Sequence, residues 1–188
     1  MVHARSWRFA PALLCGLVCA LTLAGCGNEP ATSHSPSATP SGSASARPSP
    51  AIPPMPSAAK AHSKAGAVAF VRYYVTAFNH AQATGDVRPL RELGAKGCIS
   101  CRSILTTVRE IYSAGGHIEG GRWRMVSHEA HRAPNNQWTV DVGGRFAPSR
   151  TYSSDGAGPA RAKGGGAVAT FFVKYTGGWK VLRWTRAD

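Results

Sequence analysis

Cys98 and Cys101 form the pair in this chain whose spacing points most directly to chemistry. Cys-x-x-Cys admits three readings. At a helix N-terminus, which lowers a thiol's pKa, the pair can run thiol–disulfide exchange. With two further ligands it can hold zinc. In an exported domain it can close a structural disulfide. Exchange enzymes carry the motif after a strand in a βαβ frame, whereas helical patterning precedes it here. His128 and His131 could complete a zinc site, but they lie three apart in an alternating stretch, which puts them on opposite faces of a strand. The reading adopted is a Cys98–Cys101 disulfide that pins a helix to the turn before it. No metal site is assigned and no cofactor is implied.

His117 and Glu119 sit between glycine pairs, in Gly115-Gly116-His117-Ile118-Glu119-Gly120-Gly121. Glycine lets a backbone approach a ligand or another strand closely. Arg122 and Arg124 follow, and these four residues are the candidate contacts for a ligand or partner. Asp141 or His117 could act as acid or base against walls of Tyr74, Phe78, Trp123, Trp138 and Phe172, but Asp141 alternates out of phase with Trp138 and Val140 and should face solvent. Arg outnumbers Lys by 16 to 6, and a guanidinium does not shuttle protons at neutral pH. The few acids show no spacing that would drive one pKa upward. No catalytic residue is assigned.

Cys26 is a third chemical position. Arg5 and Arg8 precede a short apolar run, Ala12 to Leu23, too short for a bilayer of ~30 Å. The run ends in Leu23-Ala24-Gly25-Cys26. That order resembles the bacterial lipoprotein signal, in which the thiol is acylated and the cysteine becomes the new N-terminus. Residues 1–25 are expected to be a signal peptide, and Cys26 a lipidated anchor holding the chain on the extracytoplasmic face of the cell membrane.

Residues 26–57 read as a spacer. Gly27 to Ser57 holds eight prolines and eight serines with almost no charge. Such a segment buries too little apolar surface to offset ordering. Residues 58–188 then form one domain. Removing residues 1–25 takes away Arg5 and Arg8, so the net charge falls from +13 to +11. A surface of that sign favours an anionic envelope polymer or an envelope protein as partner. The export signal argues against nucleic acid, although Arg122, Arg124, Lys174, Lys180, Arg183 and Arg186 could make one basic sheet face.

The elements positioning these residues change character near Gly115. Ala58 to Thr84 reads as a long helix with Phe70, Val71, Tyr74, Phe78 and Ala81 on one stripe, and Gly85 suits its C-terminus. Asp86 can cap a short second helix through Pro89, Leu90 and Leu93. A third starts near Ser100, with Cys101, Ile104, Val108, Ile111 and Tyr112 on one face. Alternation follows at Trp123/Met125 and Trp138/Val140/Val142, with a turn at Pro134-Asn135-Asn136. Tyr152 to Gly166 is expected to be a mobile loop. Ala167 to Tyr175 is a continuous apolar strand, and Gly177-Gly178 signals a type I′ hairpin into a last strand through Trp184. The class is α+β, with N-terminal helices in an antiparallel sheet of about four strands. The expected core includes Phe70, Tyr74, Phe78, Trp123, Trp138 and Phe172.

Phe70-Val71-Arg72-Tyr73-Tyr74, Thr84-Gly85-Asp86, Cys98-Ile99-Ser100-Cys101 and the Gly115–Gly121 stretch resemble an actinobacterial lipoprotein family, domain of unknown function 6318. The element order is similar to the nuclear-transport-factor-2-like cone, a curved sheet around a long helix. That cone hosts isomerases, cyclases, dehydratases and pure binding modules, so the resemblance implies no activity. Two functions follow as expectations. One is a tethered, non-catalytic envelope binding module, the reading preferred. The other is a small cone enzyme of isomerase or hydrolyase type, which would need an inward-facing acid/base pair.

Overall fold

A computed structural model of the chain describes residues 51–187. The signal segment, Cys26 and the stretch through residue 50 lie outside the described residues. In chain order the domain comprises α1 (Lys64–Thr84), α2 (Arg88–Leu93), α3 (Ile99–Ser113), β1 (His117–Gly120), β2 (Trp123–Ala133), β3 (Gln137–Phe146), β4 (Ser149–Tyr152), β5 (Ala160–Ala162), β6 (Gly165–Tyr175) and β7 (Trp179–Ala187). This is the expected α+β order.

The packed chain begins earlier than residue 58. Ile52 and Met55, the apolar side chains of the Pro-rich stretch, pack against the core, and the Tyr73 hydroxyl donates to the Pro53 carbonyl at 3.1 Å. The long helix begins later than Ala58. Ser57–Lys60 is a single 3-10 turn, and α1 starts at Lys64 because Ser63 is extended and its Oγ accepts the Gly66 N–H at 3.0 Å. The Ala61 carbonyl between them accepts the Trp179 indole N–H at 3.1 Å, which holds it out of the helix. Gly85 ends α1 at φ +76°, as its position suggested. Val87 holds the position just before α2 and makes no side-chain capping bond there, so the cap falls to Asp86, as expected. Asp86 sits one step earlier, where its Oδ1 accepts the Arg88 N–H at 3.0 Å.

Four strands form an antiparallel sheet in the order β2-β3-β6-β7, with register shifts at Met125/Ser127 and Phe172/Val173. Such bulges bend strands. The inner face lies against the predicted stripe of α1: Phe70, Val71, Tyr74, Phe78 and Ala81 are all buried. Aromatic rings fill the interface. Tyr74 meets Phe171 edge-on at 5.6 Å, Phe78 meets Trp123 at 5.9 Å, and Trp123 stacks on Phe171 at 5.7 Å. Trp138 is half-buried against this core. Phe172 is not in it. Phe171 is fully buried, and Phe172 points outward beneath the Arg183 guanidinium, 3.4 Å from the ring centroid. The unbroken apolar run hid which of the two phenylalanines faces in.

Two turn expectations change places. Asn135 and Asn136 both have φ +57°, and Gln137 N–H donates to Pro134 C=O at 3.2 Å, the form of a type I′ turn. At Gly177-Gly178 only Gly177 has positive φ, so that hairpin is not type I′.

The largest difference concerns the stretch expected to be a loop. Part of it folds as β5 and, together with β1 and β4, makes a second antiparallel sheet in the order β1-β4-β5. The expected four-stranded antiparallel sheet is therefore joined, among the described residues, by a second sheet of three short strands. Tyr112 ties this small sheet down. Its hydroxyl donates to the Gln82 carbonyl at 2.7 Å and accepts the Ile118 N–H at 3.4 Å. The described core residues run from Ile52 to Trp184, and residues 51–187 fall in one compact unit.

Candidate functional site

The small sheet collects polar side chains through its register. His117 lies opposite Tyr152, Glu119 opposite Arg150, and Arg150 opposite Arg161. Residues opposite each other share a face, as do residues two apart along a strand. His117, Glu119, Arg150, Tyr152 and Arg161 thus project from one face. The His117 and Tyr152 rings stack at 4.4 Å and 5°. The Tyr152 hydroxyl donates to Glu119 Oε2 at 3.1 Å, and His117 Nε2 lies 3.7 Å from Glu119 Oε1. His117 and Glu119 remain half exposed, at 51% and 52%, so this trio is a surface feature open to a ligand.

Beside it runs an open groove of about 670 Å³, lined by Glu119, Pro148, Ser149, Arg150, Arg161 and Lys163. No carboxylate pairs with Arg150, Arg161 or Lys163 among the described residues. The turn between β4 and β5 carries Asp155, whose carboxyl is held below its ordinary pKa by the Ser153 hydroxyl at 2.5 Å and the Ala157 N–H at 3.0 Å. Arg150, Arg161 and Lys163 thus bring three cations to the groove, beside the Glu119 carboxylate.

Of the candidate contacts, His117 and Glu119 fall in this site. Arg122 lies in the link between the two sheets, and Arg124 opens the outer face of the large sheet opposite Arg145. The supposed basic sheet face is not continuous. Glu129 and Asp141 occupy a row between Arg124/Arg145 and Lys174/Lys180. Arg186 projects to the side opposite Arg183 and reaches the Phe146 ring at 5.4 Å. Asp141 faces outward as expected and accepts the Thr170 hydroxyl at 2.6 Å. His128 and His131 are exposed, and His131 lies 3.6 Å from Glu129. Cys98 and Cys101 are joined by a disulfide, and Cys98 also caps α3, its sulfur accepting the Cys101 N–H at 3.1 Å.

Sequence reasoning missed Arg150, Tyr152, Arg161 and Lys163. Arg150 and Tyr152 alternate in a four-residue strand, too short a signal to separate from a loop, and Arg161 becomes their neighbour only through register.

The interior of the cone is aromatic. Trp123 is 2% exposed and stacks on Phe146 and Phe171. Tyr74 is fully buried; burial raises its phenol pKa, and the neighbouring Trp184 indole opposes that shift. Among the described residues no charged side chain is buried, and no group of three or more His, Cys, Asp or Glu could hold a metal ion.

A long helix against the inner face of a bulged antiparallel sheet is the α+β, cone-like architecture of nuclear-transport-factor-2-like proteins. The chain belongs to the Family of unknown function (DUF6318), whose model matches residues 30–185. It is similar in structure to the intermembrane space region of the chloroplast protein ARC6, with a TM-score of 0.52 at 12% identity, covering 67% of this chain and 97% of that one. It is also similar to an NTF2-like protein of unknown function in nutrient uptake from Rhodospirillum rubrum (TM-score 0.44, 15% identity, 62% of this chain and 96% of that one). A third similar structure is ActVI-ORFA from Streptomyces coelicolor (TM-score 0.43, 9% identity, 65% and 96%). At these identities the likeness concerns the fold. Among curated proteins, none matches this chain in sequence.

Proposed function

We propose that the protein is an exported lipoprotein, anchored to the cell membrane through Cys26, whose domain is a non-catalytic binding module of the cell envelope. Its contact site is the small sheet, and its ligand is an anionic envelope polymer or the acidic surface of an envelope protein. The observation that carries this reading is the cross-strand pair Arg150 and Arg161 beside Lys163, three cations around one groove. The Tyr152–His117 stack supplies a flat, partly apolar wall next to them. Binding is favoured over catalysis because the side chains facing the cone interior are aromatic, and the most enclosed imidazole–carboxylate pair among the described residues, His80 and Asp86, is engaged by Arg88 at the α1–α2 turn. Acid/base work generally draws on a desolvated group.

The experiment is a binding isotherm of a domain spanning residues 51–188 against poly(glycerol phosphate), repeated at rising salt. Capture that weakens with salt, and that falls at least tenfold on joint Arg150→Glu and Arg161→Glu substitution, supports the site. Unchanged capture by the double variant overturns it. For the anchor, Cys26→Ala should release the full chain from the membrane fraction; retention would refute the lipid attachment.

A further inference from the structure

We infer that the α2–α3 end of the domain docks onto a bilayer containing anionic phospholipid, with Ile99 entering the headgroup layer and Arg91, Lys96, Arg102 and Arg109 holding lipid phosphates. Ile99 is 72% exposed at the first position of α3, the largest exposure among the described large apolar side chains. A single exposed isoleucine is ordinary on a protein surface. Its surroundings set this one apart. Ile99, Arg102, Thr106 and Arg109 follow i, i+3, i+7 and i+10 spacing and share one stripe of α3. Across a groove of about 380 Å³ stand Arg91 and Lys96, with Leu105 in its lining. The acids nearest in sequence are Glu92 and Glu110, so cations prevail four to two.

The tip is also held in place. The Cys98–Cys101 disulfide closes the turn beneath Ile99. The Arg102 guanidinium donates to the Lys96 carbonyl at 2.8 Å, and the Ser100 hydroxyl accepts the Trp184 N–H at 3.0 Å. A fixed apolar tip on the same helix stripe as Arg102 and Arg109 loses little conformational freedom on docking. Each cation near an anionic leaflet contributes about fivefold in partition. An anionic polymer could meet the same cations, but it gives Ile99 nothing to enter; a bilayer uses both features.

The test is co-sedimentation of the 51–188 domain with vesicles of phosphatidylcholine alone and with vesicles containing about one-third phosphatidylglycerol. Binding is expected to the anionic vesicles only. Joint Arg91→Ala and Arg102→Ala should reduce it at least tenfold, and Ile99→Asp to a similar extent; all three side chains are exposed, and an unchanged melting temperature will confirm that the variants fold. Anionic-vesicle binding that survives Ile99→Asp identifies a simple polyanion surface and overturns the proposal. So does equal binding to neutral vesicles, or none to either. The Arg150→Glu, Arg161→Glu variant should bind vesicles normally while losing polymer capture; vesicle binding lost with that variant instead would place the contact on the small sheet and refute the α2–α3 assignment.

Discussion

Asn79 clamps the backbone of Trp123 from 44 residues away. Its Nδ2 donates to the Trp123 carbonyl at 2.8 Å, and its Oδ1 accepts the Trp123 N–H at 2.8 Å. The amide acts as one more strand residue at the start of β2, and it fixes where α1 meets the sheet. Removing it strands a donor and an acceptor at a part-buried site. Asn79→Ala should cost about 2–3 kcal/mol, because each unsatisfied group carries a desolvation penalty. Asn79→Asp should also destabilise, since a carboxylate cannot donate to the carbonyl. Urea denaturation of the variants checks this; a loss below about 0.5 kcal/mol for Asn79→Ala would show that the clamp is not a structural determinant.

Trp123 also depends on Gly144. A Cβ at residue 144 would lie 2.1 Å from the indole Nε1. The ring cannot move aside easily, because it is wedged between Phe146 at 5.0 Å and Phe171 at 5.7 Å. Gly144→Ala is therefore expected to destabilise by about 1–3 kcal/mol, the usual cost of overpacking. Near-ultraviolet circular dichroism should change with it, because the aromatic stack must shift. A variant with wild-type stability and an unchanged aromatic spectrum would contradict this packing.

The parts of the fold that sequence made legible are those with a strong local period. The α1 stripe and the alternating Trp138, Val140 and Val142 face the core as their spacing alone dictates. The β6 run Ala167-Val168-Ala169-Thr170-Phe171-Phe172-Val173 has no such period, so it does not show that Phe171 faces in and Phe172 out. A cation over an outward ring compensates for the exposure of Phe172, and nothing local announces that. The small sheet escaped for a related reason. Its strands of three and four residues carry too few alternations to be read, and its Gly- and Ser-rich surroundings look like a loop. The glycines that flank His117 and Glu119 mark these two residues in the sequence. Their partners Arg150 and Tyr152 exist as partners only by register, which is a tertiary fact.

The Cys98–Cys101 bridge closes a very short loop, so its chain-entropy contribution is about 2 kcal/mol. It acts twice, because the Cys98 sulfur also caps α3. Joint Cys98→Ala and Cys101→Ala substitution should lower the melting temperature by roughly 5–10 °C. Adding reductant to the wild-type domain should reproduce most of that shift. Polymer capture at 25 °C should be unaffected, since the binding groove lies on the small sheet. Loss of capture on reduction, with the fold intact, would instead assign the pair a functional redox role.

Asp86 gives the domain a specific acid sensitivity. Arg88 grips its carboxylate with Nε at 2.9 Å and Nη2 at 2.8 Å, while the Arg88 N–H donates at 3.0 Å and His80 Nε2 stands 3.8 Å away. The Arg88 hydrogen bonds hold the carboxyl well below the usual carboxylate range. A folded pKa depressed below the unfolded value of ~4 adds stability that is fully present above that value and is lost as pH falls towards the folded pKa. The Arg88 side chain is exposed and Asp86 is a quarter exposed, so solvent screening discounts the contribution of the Asp86 carboxylate to about 1 kcal/mol. Asp86→Asn keeps an oxygen that can accept the Arg88 N–H and removes the charge. Wild type should therefore exceed Asp86→Asn by about 1 kcal/mol at pH 7, with the gap closing steadily below pH ~4. Denaturant midpoints of both proteins, measured in steps from neutral to strongly acid pH, read this directly. Added salt should narrow the neutral-pH gap, since the pair is partly screened already. A gap that stays constant across the whole range would show that the substitution acts through the shape of the α1–α2 turn and not through the charge of Asp86.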